Sequence, residues 1–255
     1  MATFITSKSI GETISISVQT STGYWKYNHD GADSSVFENG EQIITITNVN
    51  GEFTLISCDS EGNVSGDITY LDLKNNQLTS FDGTGLTALT DLELEGNQLI
   101  SFNGTGLTAL TYLGLGNNSL TSLNNFTFPS SLTNLNLYTN QLTAFDGAGL
   151  INLNYLDLSD NQLTLFNGTD LNVLQNLYII NNFLTPSINN SLLAQLAANE
   201  LANSWGYGTF QTTGGRTSAG TADYDYLIAN SWDVQGADLI PTGTGKLRVK
   251  GTGQL

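Results

Sequence analysis

Cations are scarce in this chain. Its 255 residues hold seven Lys and Arg against 23 Asp and Glu, for a formal net charge of −16. The seven are Lys8, Lys26, Lys74, Arg216, Lys246, Arg248 and Lys250, and none lies between Asn75 and Gly215. Phosphate backbones and anionic headgroups need cationic partners, so neither nucleic acid nor a membrane surface is an expected partner. The single cysteine, Cys58, permits no intramolecular disulfide and no thiolate metal cluster. Beside Phe53, Leu55 and Ile56 it reads as a small core residue. The single histidine, His29, removes multi-histidine metal sites and most histidine-dependent triads, and it reads as a turn residue. No G-x-S-x-G, P-loop or H-E-x-x-H is present, no cofactor or metal is implied, and an enzyme is not expected. No apolar run reaches the roughly 18 residues of a membrane span, and the N-terminus lacks a basic segment followed by an apolar one. That points to assembly in the cytoplasm or to a leader already removed.

What is present is repetition. A Leu-x-Leu pair recurs six times, at Leu71/Leu73, Leu92/Leu94, Leu113/Leu115, Leu135/Leu137, Leu156/Leu158 and Leu177/Ile179. The step is 21 residues except for one of 22, where NNFTFPSSL replaces FDGTGLTAL. Three residues after each pair stands an asparagine (76, 97, 118, 140, 161, 182), and two further on a leucine. Five copies then carry Phe81, Phe102, Leu123, Phe145 or Phe166. The D-G and N-G pairs that follow (82–83, 103–104, 146–147, 167–168) predict a tight turn with positive φ at the glycine. Asn103-Gly-Thr and Asn167-Gly-Thr also match a glycosylation sequon, but Asp fills the same slot elsewhere, so turn chemistry explains it better.

Alternating leucines place one face of a strand in a core and leave the residues between them on the other face. One repeat cannot bury that face alone; stacked repeats can, as a parallel sheet over a continuous core. The asparagines are expected to form a buried ladder that bonds turning backbone, with no binding role.

The L-x-x-L-x-L-x-x-N-x-L pattern resembles leucine-rich repeats at the short end of their period range, over residues 64–186. The resemblance implies a β-dominated α/β-type solenoid with a cap at each end. Residues 1–66, with TISISV, QIITITNV and EFTLIS, read as an antiparallel β cap. IGETISISV followed by YWKYNHDG resembles the cap that precedes such repeats in bacterial and phage surface proteins, with Asn28-His29-Asp30-Gly31 where those carry a W-G-D-G-like turn. Residues 67–186 make the six-repeat solenoid, and 187–255 a mixed C-terminal unit. There, INNSLLAQLAANELANSWG has helical spacing with Asn189 or Asn190 as its cap, and TADYDYLIANSW suggests a second helix capped by Thr221. The segment ending at Ser231-Trp232 resembles a unit that follows such repeats in phage and bacterial surface proteins. GKLRVKG places Lys246, Arg248 and Lys250 on one strand face, either a charged edge that resists aggregation or a docking contact.

In leucine-rich repeats the outward strand residues line a concave sheet, so three columns are the candidate binding surface. The first runs Tyr70, Asp91, Tyr112, Asn134, Tyr155, Asn176; the second Asp72, Glu93, Gly114, Asn136, Asp157, Tyr178; the third Lys74, Glu95, Gly116, Tyr138, Ser159, Ile180. Tyrosine, carboxylate and amide side chains suit both sugars and protein interfaces. Gly114 and Gly116 are expected to leave a shallow depression, and Lys74 to sit opposite Glu95. Asp72 beside Glu93 forms a solvated acidic patch rather than a calcium site or a glycosidase pair. The expected function is non-enzymatic recognition or adhesion by a virion-exposed phage protein (fibre, appendage or head decoration). Its partners would be a host-surface glycan or protein, other virion subunits or a second copy. The alternatives are a secreted bacterial adhesin at the cell surface and an inert scaffold subunit.

Overall fold

The structure is a computed structural model that describes residues 2–6, 13–29, 32–35, 37–45, 52–58, 61, 67–123, 126–203, 209–212 and 233–235. The chain opens with seven strands: β1 (Ala2–Thr6), β2 (Thr13–Thr20), β3 (Tyr24–His29), β4 (Ala32–Asp33), β5 (Phe37–Glu38), β6 (Gly40–Thr45) and β7 (Glu52–Cys58). The coils follow with β8 (Ile68–Asp72), β9 (Leu78–Asp82), β10 (Asp91–Glu93), β11 (Tyr112–Gly114), β12 (Asn134–Asn136), β13 (Ala144–Asp146), β14 (Tyr155–Asp157), β15 (Leu165–Asn167) and β16 (Asn176–Ile179). Helix α1 (Pro186–Asn203), β17 (Thr209–Thr212) and β18 (Asp233–Gln235) complete the described elements.

One strand per repeat joins a parallel ladder, β8-β10-β11-β12-β14-β16, in which the first leucines of successive pairs align. Both residues of every Leu-x-Leu pair are fully buried. The leucine after each asparagine is buried as well, and so are two further leucines in most coils, such as Leu86 and Leu89. On the opposite wall the chain stacks phenylalanines: Phe81–Phe102 at 6.1 Å between ring centroids, Phe102–Phe126 at 5.2 Å, Phe126–Phe128 at 4.9 Å, Phe128–Phe145 at 6.2 Å and Phe145–Phe166 at 5.6 Å. In the 22-residue step the column position expected for Leu123 belongs to Phe126, which is buried while Leu123 is only partly so. The larger ring reaches across the altered loop where a leucine would leave the stack broken.

The asparagines form the expected ladder. Asn97 accepts from Asn76 N–H (3.0 Å) and Leu78 N–H (2.9 Å), and donates to the carbonyls of Leu73 (3.0 Å) and Leu94 (2.8 Å). Asn118, Asn140, Asn161 and Asn182 each repeat this bridge from their own strand to the coil before. Asn76 has no coil before it. It accepts from Ser15 N–H at 2.9 Å and donates to the Ser15 carbonyl, so β2 stands in for the missing coil.

The residue before each ladder asparagine must turn the chain sharply. Asn75, Gly96, Asn117, Thr139, Asp160 and Asn181 all have φ between 50° and 68°. Asn, Asp and Gly tolerate this left-handed region; a β-branched threonine does not. Thr139→Asn is therefore expected to stabilise the fold by about 1 kcal/mol, a rise of roughly 2–4 °C in midpoint for a chain of this size in a thermal melt.

The turn glycines correct the sequence expectation. Gly83, Gly104, Gly147 and Gly168 are not among the positive-φ residues; Gly85, Gly106 and Gly149 are. The first glycine of each turn is there for close packing. A Cβ on Gly83 would lie 3.0 Å from Leu107, and one on Gly104 only 2.1 Å from the Phe126 ring. The Asp or Asn before it closes the turn through its side chain: Thr84 N–H donates to Asp82 Oδ1 at 2.9 Å, and Thr105 and Thr169 bond Asn103 and Asn167 likewise at 3.1 Å. The Thr84 hydroxyl and N–H hold the Asp82 carboxyl below its ordinary pKa.

The N-terminal strands grip the first coil on both walls. β2 pairs antiparallel with β8, and its fully buried Ile14, Ile16 and Val18 close the leucine core. β1 pairs antiparallel with β9 across the phenylalanine wall. His29 ends β3 in register with Ala32, so it is a strand residue rather than a turn residue. At the other end α1 starts at Pro186, with the Thr185 carbonyl accepting from Ile188 N–H (3.0 Å) and Asn189 N–H (3.2 Å). Proline suits the first helical position because its missing N–H would be unpaired there anyway. Asn189 is thus inside the helix and fully buried, and Asn190 is inside too, so neither is the cap. Leu192, Leu193 and Leu196 cover the last coil, and Gln195 Nε2 donates to the Gly168 carbonyl. The 21-residue period stops here, yet the parallel sheet continues through β17 and β18. The proposed second helix at 221–232 and the strand with Lys246, Arg248 and Lys250 lie outside the described residues, as does the Cys58 side chain. No helix among the described residues is long and apolar enough to cross a membrane.

Candidate functional site

Strand register aligns the first two sequence columns on one face, and the third follows just past the strand ends, where Lys74 reaches Asp72 and Glu93 and Glu95 reaches Asn136. Tyr70, Asp91, Tyr112, Asn134, Tyr155 and Asn176 are paired in a row, and so are Asp72, Glu93, Gly114, Asn136, Asp157 and Tyr178. Apart from the buried Gly114, all of these side chains have intermediate exposure, as expected for residues pointing out of a sheet between neighbours. Lys246, Arg248 and Lys250 cannot be placed relative to this face because they fall outside the described residues.

In the N-terminal half of the face one lysine meets part of the charge of four carboxylates, Asp72, Asp91, Glu93 and Glu95. Lys74 pairs with Glu93 and, at 3.4 Å, with Asp72, rather than with Glu95. Burial pulls the Lys74 ammonium down, but the hydrogen bonds and charges of Glu93 and Asp72 outweigh it and hold the group above its ordinary pKa. The Tyr70 hydroxyl donates to Glu93 Oε1 at 3.4 Å. Burial, then the charges of Glu93 and Asp72, push its pKa up. Asp72 also caps its own turn by accepting from Lys74 N–H at 2.9 Å.

Glu95 behaves differently from any reading of its strand alone. Its carboxylate leans over β11 and accepts from Asn136 Nδ2 on β12 at 2.8 Å. It can do so because Gly114 has no side chain; a Cβ there would meet Glu95 Oε1 at 3.1 Å. Gly116 is likewise covered, since its Cβ would lie 2.2 Å from the Tyr138 ring. Both glycines are buried, so the expected depression does not exist: Glu95 and Tyr138 fill it. The two glycines in adjacent columns were the sequence signal for this crossing.

Burial and the neighbouring Glu93 charge raise the Glu95 pKa, with the Asn136 bond opposing them. An acid with a raised folded pKa binds more protons folded than unfolded between the two values, so its contribution to stability falls as pH rises through that window. Glu95→Gln keeps the acceptor for Asn136 and removes the charge. The variant is expected to melt above the parent at pH 7, with the gain vanishing below about pH 4.3, the ordinary glutamate value; melts at the two pH values check this.

The C-terminal half is aromatic and amide-rich. Tyr155 and Tyr178 rings lie 5.5 Å apart at 45°. Burial pushes the phenols of Tyr112 and Tyr155 up to about 12, helped by Glu95 beside the first and Asp157 beside the second. Tyr138 is raised for the same leading reason. Asp157 accepts from Ser159 N–H at 2.9 Å, so its orientation is fixed by the turn. Three or more carboxylate, histidine or cysteine side chains do not converge anywhere among the described residues as a metal ion would need.

No protein-family model matches the chain, and no curated protein does. Solved structures similar to it include an internalin, inlF, from Listeria monocytogenes, at 23% identity over 71% of this chain and 59% of that one, with a TM-score of 0.46. Another is the functional domain of InlJ from the same organism, which includes a cysteine ladder: 23% identity, 76% and 48% coverage, TM-score 0.37. A third is the leucine-rich repeat ectodomain of the receptor kinase SOBIR1 from Arabidopsis thaliana, at 18% identity, 71% and 78% coverage, TM-score 0.33. The chain thus spans about half to three fifths of the two listerial structures' length. At these identities the likeness is one of fold. With a 21-residue period, one parallel strand per period, stacked leucines and a buried asparagine ladder bridging the coils, the chain has a leucine-rich repeat fold.

Proposed function

We propose that the chain is a non-enzymatic recognition module that binds a partner through the concave face. The observation that carries this is the aromatic and amide surface of Tyr112, Asn134, Asn136, Tyr155, Asp157 and Tyr178 on consecutive parallel strands, with Tyr138 just past the end of β12. Their backbones are locked by the sheet, so the side chains lose little freedom on binding, and tyrosine adds contact area at low entropy cost. Tyr70, Asp72, Asp91 and Glu93 extend the same surface, though with their charges partly met by Lys74. The open sheet supports binding more than turnover: the carboxylate pair Asp72/Glu93 is engaged by a lysine rather than held for proton transfer.

In our reading the partner is a glycan or protein on a host surface and the module is exposed on a phage virion. The resemblance of its caps to those of phage and bacterial surface proteins supports this. A secreted bacterial adhesin is the alternative. Capsid and tail genes beside this one would favour the virion; an upstream leader in the full gene would sink it. Lys246, Arg248 and Lys250 are proposed as the contact that docks the module to a neighbouring subunit or a second copy. Binding of the purified protein to an array of glycans and host envelope proteins, repeated with Tyr112, Tyr138 and Tyr155 each changed to Ala, tests the reading. Variants that bind as the parent does would remove the concave face from the function.

A further inference from the structure

The first column of the face has a period of its own. Tyrosine occupies every second strand (Tyr70, Tyr112, Tyr155), and a short carboxyl or amide side chain occupies the strands between (Asp91, Asn134, Asn176). Strands lie about 4.8 Å apart, so the tyrosines recur roughly every 9.6 Å along the solenoid axis. Nothing in the coil geometry requires this doubling. The leucines and ladder asparagines repeat at every coil, whereas this outward column alternates.

An extended β-linked polysaccharide has a matching symmetry. Successive sugars flip by half a turn, so the same ring face returns once per disaccharide, at about twice the strand spacing. A C–H face laid on one tyrosine brings the next sugar's opposite face over the intervening strand. There the equatorial hydroxyl or acetamido groups at the ring's edge come within reach of the short amide or carboxyl side chain, and the same face returns over the next tyrosine. Charge narrows the ligand further. No Lys or Arg lies between Asn75 and Gly215, so among the described residues the face offers no cation to a uronate, sulfate or phosphate beyond Lys74, which is already paired with Glu93 and Asp72. We infer that the concave face takes a neutral, extended, linear polysaccharide lying across the strands along the Tyr70–Asn176 column, one disaccharide to every two coils. This rests on the concave face being the binding surface and names the chemical class of its ligand.

Calorimetric titration of the whole chain with β-1,4-linked glucose and N-acetylglucosamine oligomers, from dimer to hexamer, and with hexagalacturonate tests it. A hexamer of at least one neutral series is expected to bind about tenfold or more tighter than its dimer, and hexagalacturonate not to bind. The decisive variant is Tyr112→Asn combined with Asn134→Tyr, which keeps composition but breaks the two-coil period. It is expected to lose hexamer affinity about tenfold or more with an unchanged melting temperature. Should that pair fail to fold, Asn134→Tyr alone puts a ring at the half period and is expected to weaken the hexamer likewise. Parent-like hexamer binding by a folded period-breaking variant would overturn the inference, as would preference for hexagalacturonate or failure of both neutral hexamers to bind. If neither hexamer binds while Tyr112→Ala or Tyr155→Ala abolishes binding to an array protein or branched glycan, only the polysaccharide is wrong. If those alanine variants bind every array ligand as the parent does, the concave face falls with it.

Discussion

Asn140→Ala is expected to destabilise the fold by about 1–3 kcal/mol, the cost of leaving one buried polar group, the Leu120 N–H, unpaired. Asn140 Oδ1 accepts from Leu120 N–H at 2.9 Å, and Nδ2 donates to the carbonyls of Leu115 (3.0 Å), Leu137 (3.1 Å) and Tyr138 (3.3 Å). The three carbonyls keep a second donor each, from Asn118 Nδ2, Asn161 Nδ2 and Asn117 N–H. Leu120, however, is fully buried and the Asn140 side chain nearly so, which leaves little room for water to replace the bond lost by Leu120 N–H. A domain stable by 5–15 kcal/mol loses a large fraction of its margin at that one position. Asn140→Asp separates the acceptor from the donor. It can still receive Leu120 N–H, but at neutral pH its carboxylate faces three carbonyl oxygens with no proton to offer. That variant is expected to be less stable than Asn140→Ala at pH 7 and to recover part of the difference as the carboxyl protonates in acid. Urea unfolding of the three proteins at pH 7 and pH 4 measures both effects; equal stability of Asn140→Ala and parent would show that the ladder is not what joins the coils.

Phe126→Ala is expected to cost about 3–5 kcal/mol, the range for removing a buried aromatic ring. The ring lies edge-on between Phe102 and Phe128, so its loss interrupts the stack at the one irregular step of the solenoid. It also fills the space above Gly104, where a Cβ would approach its Cε2 to 2.1 Å. Gly104→Ala alone is therefore expected to be destabilising by about 1–3 kcal/mol through overpacking. In the Phe126→Ala background the added methyl should be tolerated or should stabilise. The double-mutant cycle would give a coupling energy on the order of 1 kcal/mol or more, as residues in contact show. Additive effects would mean that the ring shifts aside freely and that the glycine answers to something other than Phe126.

Much of this was legible in the primary structure. Leu71, Leu73, Asn76 and Leu78, and their counterparts 21 or 22 residues on, specify strand, turn and core direction by local chemistry, and six copies in register leave one way to stack them. The outward-facing columns followed from the same alternation. What failed had a common cause: it depended on a neighbour in another coil. Gly83 and Gly104 were read through their own backbone, where a D-G or N-G pair suggests positive φ, but their smallness answers to Leu107 and Phe126 in the next coil. Leu123 held the expected place by count, whereas the altered loop gives that place to Phe126. Gly114 and Gly116 looked like an empty hollow until Glu95 and Tyr138 were seen to lie across them.

By itself, then, the sequence determined the coil: its period, its inward leucines, its ladder asparagines and the outward columns, because each of these is set by residues within one repeat and by hydrogen-bonding groups that must be paired wherever they are buried. Only the tertiary structure decided how the ends are closed and how the face is arranged. That β2 and β1 grip opposite walls of the first coil, that Thr185 and Pro186 begin the closing helix, that Lys74 serves Glu93 and Glu95 serves Asn136 are choices among partners of similar chemistry. Such choices depend on distances across coils, and strand spacing and side-chain reach become definite only when the coils are stacked.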